Sequence, residues 1–287
     1  MNAKKKIVYQ GEPGANSDTA AREAYPGYTP VPCATFEDAF AAVANKDAEL
    51  AMIPVENSVA GRVADIHHLM PTSGLNIVAE FFLPISHQLL GVKGAKLSDL
   101  KTVQSHIMAL GQCRNVIKKL GLKSVIGADT AGSARQIAEM NDKSHAAIAS
   151  KLAGEIYGLD LLQENIEDEA HNTTRFIILS REPDWAKQGE APTVTTFVFR
   201  VRNVPAALYK ALGGFATNGV NMTKLESYQL DGSFSATQFY ADVEGHPEDR
   251  PVKLALEELA FYSAEMKILG VYPAHEFRVT ATGKAGR

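Results

Sequence analysis

Between residues 171 and 176 the chain reads His-Asn-Thr-Thr-Arg-Phe, directly before the apolar run Ile177-Ile178-Leu179. A hydroxyl (Thr174), a guanidinium (Arg175) and an aromatic ring (Phe176) thus follow one another at the entrance of a strand, with the amide of Asn172 just ahead. On a strand Thr174 and Phe176 share one face, and Arg175 points to the other. Such a set can donate a proton, clamp an anion and wall an apolar ring. An ordinary strand start with a solvated arginine fits the same residues.

A second polar turn, Glu56-Asn57-Ser58, follows the strand-like Ile53-Pro54-Val55 and precedes Gly61 and Arg62. Backbone amides and short polar side chains there can hold an anion or simply cap a helix. Gly11–Ser17 repeats the arrangement after the first strand. Pro13 breaks any G-x-G-x-x-G fingerprint and there is no P-loop lysine, so a nucleotide site is poorly supported. Ser105-His106 can be read as nucleophile and base, but adjacent residues rarely face each other and no acidic orienter is near; a capping serine is the better reading. Asp129-Thr130-Ala131-Gly132 is a further strand-to-helix turn. His67-His68 lacks the i,i+4 spacing of a zinc pair. These turns at strand ends together make a ligand cleft credible.

The elements that must position them alternate. Strands are expected at Lys6–Gln10, Leu50–Val55, Leu75–Phe82, Lys101–Gln104, Ser124–Ala128, Ala146–Ala149 and Arg175–Leu179. Helices are expected at Ser17–Tyr25 with Ser17 as N-cap, from a capping box at Thr35–Asp38 to Asn45, and at Ala60–Leu69, Ile107–Leu120, Thr130–Met140 and Lys151–Tyr157. This succession implies an α/β domain over residues 1–180 with a mostly parallel sheet and ligands at the strand ends. Residues 181–192, with two prolines and a glycine, read as a linker. Beyond them Thr193–Val201, Ala206–Thr217, Met222–Gln229, Ser233–Val243, Val252–Ser263 and Met266–Tyr272 form strand–helix–strand–strand–helix–strand, with Asp231-Gly232 as a hairpin turn. That order is the α+β ferredoxin-like arrangement, over residues 193–278.

Composition narrows the classes. Twenty-nine basic and 33 acidic residues in a chain of 287 give −4, scattered along the chain, with no footprint for nucleic acid or an anionic membrane. The two cysteines, Cys33 and Cys113, argue against a disulfide framework and a cysteine zinc site and fit a reducing compartment. The basic start lacks the apolar stretch of a signal peptide, and the longest apolar run is broken by Glu80 and Pro84. A cytoplasmic protein is expected.

Taken together, the segments resemble the prephenate dehydratase family: Thr174-Arg175-Phe176 preceded by Asn172, Pro54–Ser58, the Ser105, His106, Ala109, Leu110, Gln112, Cys113 segment, and Asp129–Gly132. The C-terminal part resembles an ACT domain through Pro205–Tyr209 and Asn218–Ser227, with Ala206-Ala207-Leu208 where the family often has Gly-Ala-Leu and Tyr228-Gln229 where it often has Arg-Pro. The resemblance implies a two-lobed, periplasmic-binding-protein-like catalytic domain with a central lobe over about residues 85–165 and the site between lobes. It implies conversion of prephenate to phenylpyruvate, with no metal and no organic cofactor. Thr174 would assist the departing hydroxyl, Arg175 clamp a carboxylate, and Phe176 pack on the ring or wall the site. Glu56, Asn57, Ser58, Ser105, His106, Thr130 and Asn172 would bind substrate; Arg62 either adds a carboxylate contact or faces solvent. The effector, L-phenylalanine, would be held near Ala207, Leu208, Asn218, Val220, Asn221, Glu226 and Ser227 in a homodimer or homotetramer. An arogenate dehydratase and a non-enzymatic amino-acid sensor are the alternatives.

Overall fold

The structure, a computed structural model, describes residues 5–63, 66–169, 171–202, 204–229, 236–278 and 280, with the backbone alone at His67, Ala236 and Thr237. In chain order its elements are β1 (Lys6–Gln10), α1 (Asn16–Ala24), β2 (Thr29–Cys33), α2 (Phe36–Ala44), β3 (Leu50–Asn57), β4 (Gly61–Arg62), α3 (Ile66–Leu69), β5 (Asn76–Pro84) and β6 (Gln88–Gly91). There follow β7 (Thr102–Ser105), α4 (Ile107–Gln112), α5 (Arg114–Lys119), β8 (Lys123–Ile126), α6 (Thr130–Met140), β9 (His145–Ala149), α7 (Lys151–Tyr157), β10 (Asp160–Gln163) and β11 (Thr173–Ser180). The last are β12 (Thr193–Val201), α8 (Ala207–Thr217), β13 (Met222–Gln229), β14 (Ala236–Glu244), α9 (Arg250–Tyr262) and β15 (Ser263–Pro273). Contacts group Met1–Val63 with Phe81–Phe176 in one unit, and Ala64–Glu80 with Ile177–Arg287 in another.

The first unit holds two lobes. In one, strands run in the order β11-β3-β1-β2, with β1 parallel to both neighbours. Its β3 reads Leu-Ala-Met-Ile-Pro-Val, and Met52, Ile53 and Val55 are fully buried, as a strand covered on both faces requires. Each such side chain contributes about 1.5–3 kcal/mol relative to exposure. At the other end of that order lies β2, where Pro30 and Pro32 lack ladder donors and are tolerated on an outer strand. The prolines hid this strand from sequence periodicity.

The other lobe carries the order β10-β6-β9-β7-β8. Alternation along its strands builds two cores: Leu89, Val103, Ala146 and Ile148 face α4 and α5, while Leu90, Ala147 and Ala149 face α6 and α7. The helix expected over Ile107–Leu120 is broken at Cys113, which leaves helical geometry at φ −124, ψ 27. The carboxylate of Asp168 accepts from the backbone N–H of Arg114 and Asn115 and starts α5 anew. The expected helix Ala60–Leu69 is instead the two-residue β4, pairing back on β3, and the short α3. The Thr35 capping box is present, whereas α1 starts after Ala15 and buries Ser17 within its first turn.

In the second unit β13-β14-β12-β15 is antiparallel throughout, and α8 and α9 pack on Phe197, Phe199, Val201, Ala241 and Val243. The connection order and strand order are ferredoxin-like. Alternate β12 residues face these helices, and Phe197 stacks on Phe215 at 5.8 Å. β15 meets β5 at Gly270 and Ile77, where any Cβ at 270 would fall on the Ile77 carbonyl oxygen. The α/β and ferredoxin-like expectations are both borne out; the Asp231-Gly232 turn lies outside the described residues. No helix among the described residues is long and apolar enough to cross a membrane.

Candidate active site

β3 ends and β11 begins side by side, which brings Asn57 and Ser58 to Asn172 and Thr174 across more than 110 residues of chain. Ser58 Oγ donates to the His171 carbonyl at 2.7 Å and accepts from Thr173 N–H at 2.9 Å. Asn57 Oδ1 accepts from the N–H groups of Val59 (3.0 Å) and Ala60 (2.7 Å), an Asx turn that ends the strand. Because a backbone N–H only donates, this fixes which way the Asn57 amide points. Its Nδ2 donates one hydrogen to Asn172 Oδ1 at 2.7 Å and the other to Thr174 Oγ1 at 2.9 Å. The Thr174 oxygen therefore accepts from Asn57, and its own hydrogen is directed elsewhere.

Behind this cluster Asn172 Nδ2 donates to Gln112 Oε1 at 3.0 Å, and the same oxygen lies 2.8 Å from His87 Nε2. Gln112 and His87 are absent from the sequence-derived substrate set. Gln112 sat inside the Ser105–Cys113 segment, where its spacing gave a signal; His87, alone between Ser86 and Gln88, gave none. Burial lowers the His87 ring pKa from the ordinary histidine value, which favours the neutral form near pH 7.

Arg175 lies on the far side of β11, its side chain 2% exposed, and its Nη1 pairs with Glu56 Oε1 at 3.0 Å. Phe176 is 1% exposed. Ser105 is wholly buried and donates to the Ile148 carbonyl at 2.6 Å, which leaves no hydroxyl hydrogen for nucleophile chemistry. Half-buried His106, not Ser105, caps α4 by accepting from Met108 N–H. Thr130 opens α6 behind its N-cap Asp129, which accepts from Gly132 N–H at 2.7 Å.

The Gly11–Ser17 turn joins the lobes rather than presenting an anion loop. Glu12 takes a two-pronged ion pair from Arg135 of α6 at 2.8 and 2.9 Å. The Tyr157 hydroxyl donates to the Pro13 carbonyl at 2.9 Å, and Ser150 donates to the Gly14 carbonyl. Gly14 (φ +88) sits against α7 so closely that an added Cβ would stand 2.6 Å from Ala153 Cα. The Arg135 hydrogen bonds hold the Glu12 carboxyl below its ordinary value. Among the described residues no three His, Cys, Asp or Glu gather as metal ligands.

In the second unit, Ala207 and Leu208 start α8, and with Val220 they pack on its core. Asn218 caps the end of α8 by donating to the Gly214 carbonyl, and Asn221 donates to Glu244 at 2.9 Å. Glu226 pairs with Lys224 at 3.3 Å, and Ser227 is exposed.

A two-lobed α/β frame with a hydroxyl that accepts from an amide at the mouth of a strand has the architecture of a ligand-binding α/β protein. The family model for prephenate dehydratase matches residues 7–184, and the chain belongs to that family. It is 54% identical over 97% of its length to the bifunctional N-acyl-homoserine lactone acylase/prephenate dehydratase of Komagataeibacter europaeus, covering 99% of that protein. It is 40% identical over 95% of its length to arogenate dehydratase/prephenate dehydratase 1 of Arabidopsis thaliana, covering 73% of it. The crystal structure of prephenate dehydratase from Arthrobacter aurescens in complex with L-Phe superposes with a TM-score of 0.86 at 30% identity, over 98% of this chain and 97% of that one.

Proposed function

We propose that the protein converts prephenate to phenylpyruvate, carbon dioxide and water, with Thr174 assisting loss of the ring hydroxyl. The observation that carries this reading is the donation from Asn57 Nδ2 to Thr174 Oγ1, which makes the threonine oxygen an acceptor toward Asn57 and leaves its hydrogen to be donated to a substrate. The carbon–carboxylate bond breaks, its electron pair enters the ring, and the ring carbon–oxygen bond breaks as aromaticity forms. The leaving oxygen takes up a proton and departs as water. Threonine is a weak acid, so its role is a hydrogen bond that strengthens as negative charge builds on that oxygen. General-acid assistance of this kind contributes roughly 10²–10⁴ in rate.

His106, Thr130 and the second amide hydrogen of Asn172 would bind the dianion, while Asn57 and Ser58, whose hydrogens are engaged within the protein, orient Thr174 and tie β3 to β11. Arg175 and Glu56, joined to each other, serve the site by holding β3 to β11; Phe176 backs the ring wall from the core, and Ser105 supports the turn before α4.

Residues 1–180 form the catalytic part, 181–192 a linker, and 193–278 an ACT-type regulatory domain in this reading. Its effector would be L-phenylalanine, near Ala207, Leu208, Asn218, Val220, Asn221, Glu226 and Ser227, in a cytoplasmic homodimer or homotetramer. The ferredoxin-like topology and the L-Phe complex of the Arthrobacter aurescens relative support it. Arogenate is the second substrate reading, supported by the Arabidopsis thaliana relative's name. The acylase activity in the Komagataeibacter europaeus relative's name belongs in the same assay series.

The test is phenylpyruvate release from prephenate by purified protein, with and without L-phenylalanine, alongside Thr174→Ala. Turnover that falls by about 10²-fold or more in the variant supports the assignment; turnover equal to wild type refutes it. Product from arogenate alone would move the substrate, and indifference to phenylalanine would remove the effector.

A further inference from the structure

We infer that His87 is a positioning residue for the reaction, holding the Thr174 hydroxyl as a donor through a relay of three side-chain amides. The inference deepens the Thr174 reading above and rests on it. The relay runs His87, Gln112, Asn172, Asn57, Thr174, with each link between 2.7 and 3.0 Å.

Every hydrogen in the relay can be assigned, because one end is anchored to backbone. Val59 and Ala60 N–H can only donate, so Asn57 faces them with Oδ1 and turns Nδ2 to Asn172 and Thr174. Asn172 must then meet Asn57 with its oxygen and present its nitrogen to Gln112. Gln112 must answer with Oε1, and that oxygen also faces His87. The hydrogen of His87 must therefore sit on Nε2. The opposite tautomer would set two acceptors 2.8 Å apart. A flip of Gln112 to relieve them would pass the clash to Asn172, and Asn57 cannot yield because its oxygen is held by two backbone amides.

His87 is built for this work. The residue is 4% exposed, and a buried polar ring is tolerated only where it is hydrogen-bonded. Its backbone N–H donates to Glu167 Oε2 at 2.8 Å and its carbonyl accepts from Ile166 N–H at 2.9 Å, so the ring enters from a fixed point. Burial favours its neutral form, which leaves a single ring hydrogen to be placed. Gln112 is likewise held, its carbonyl accepting from Asp168 N–H at 2.6 Å. The backbone sets the direction of the relay and His87 closes its far end: Nε2–H holds Gln112 Oε1 and, through Asn172, steadies the Asn57 amide whose second hydrogen meets Thr174, from a residue that does not touch substrate.

The test is steady-state kinetics of the full chain on prephenate with His87→Phe, His87→Gln and His87→Asn. A glutamine amide nitrogen can occupy the place of Nε2; an asparagine nitrogen stops short of it. His87→Phe should lower kcat about 10-fold, the worth of one oriented neutral hydrogen bond, with KM moving less than about 2-fold. His87→Gln should recover most of kcat, and His87→Asn should not. In a Thr174→Ala background His87→Phe should cost under about 2-fold more, since the hydroxyl it orients is gone.

Wild-type kcat in His87→Phe, equal loss in His87→Gln and His87→Asn, a KM effect in place of a kcat effect, or a further 10-fold loss in the Thr174→Ala background would each overturn the inference. Should His87→Phe fail to fold, the glutamine and asparagine variants decide alone. Wild-type turnover in Thr174→Ala is a separate result, which strikes the parent reading first.

Discussion

Replacing Asn57 by aspartate isolates the orientation of one hydroxyl. The substitution keeps an oxygen to accept from Val59 and Ala60 N–H, so the strand end stays capped. It removes both donated hydrogens, and a carboxylate oxygen then faces Asn172 Oδ1 and Thr174 Oγ1 from 2.7 and 2.9 Å. Thr174 can relieve that contact only by rotating its hydrogen onto the new carboxylate. A hydrogen bond to a charged group is worth about 1.5–3 kcal/mol. Breaking it to serve the leaving oxygen raises the barrier by that amount, or about 10- to 150-fold in kcat at 1.36 kcal/mol per decade. The assay is phenylpyruvate formation at saturating prephenate, with urea denaturation to show that Asn57→Asp folds. As pH falls toward about 4 the carboxyl regains a proton, and the deficit relative to wild type should narrow. A kcat within about 2-fold of wild type in a folded Asn57→Asp protein would refute the orientation argument.

Other consequences can be measured on stability alone. Gly14→Ala should cost about 2–4 kcal/mol, from positive φ and from a Cβ 2.6 Å off Ala153 Cα, and lower the calorimetric midpoint by several degrees. Arg278→Ala removes the ion pair at 2.6 and 2.9 Å from Glu80, whose side chain is fully buried, and should cost about 3 kcal/mol in urea titrations. An unchanged midpoint in either variant would contradict the packing described. Glu12→Gln tests the lobe junction by pH. The Arg135 hydrogen bonds depress the folded Glu12 pKa below its ordinary value of about 4.3. The pair's contribution is therefore present above that value and lost as pH falls through the folded one. Wild type should exceed Glu12→Gln in urea midpoint at neutral pH and converge with it in acid; a gap that widens in acid would reverse the sign.

Much of this was readable from residue types. Periodicity and caps placed α6, α7, β12 and β13 at their observed bounds, because each has a clean N-cap, turn or alternation of its own. The gathering of Asn57, Ser58, Asn172 and Thr174 was legible as polar turns at strand ends. What failed were features decided far away in sequence. The apolar period of residues 107–120 continues through Cys113, and the helix is restarted there by the Asp168 carboxylate, 54 residues beyond Arg114. Strands β6 and β10, of four residues each, are too short to show a period and exist because they pair with each other and β6 with β9. Arg175 could be put opposite Thr174 by alternation, but its burial against Glu56 could not be foreseen. His87 had no motif at all; its meaning lies in a direction of hydrogen bonding that only coordinates display.

The Ile85 N–H donates to the Asn172 carbonyl at 2.8 Å, so the chain leaves for the lobe of β6–β10 and returns within one hydrogen bond of its departure. During synthesis β3 emerges long before β11, its neighbour in the sheet. Closing a flexible loop of that length costs about 4 kcal/mol in chain entropy. Folding of the inserted lobe meets this cost with its own core, since its native structure brings the two ends together. Assembly is thereby ordered: protection of β6 and β9 amides in pulse-labelled exchange should precede that of β3. In that order Thr174 and the Asn57 amide that donates to it would meet only after the intervening lobe has formed.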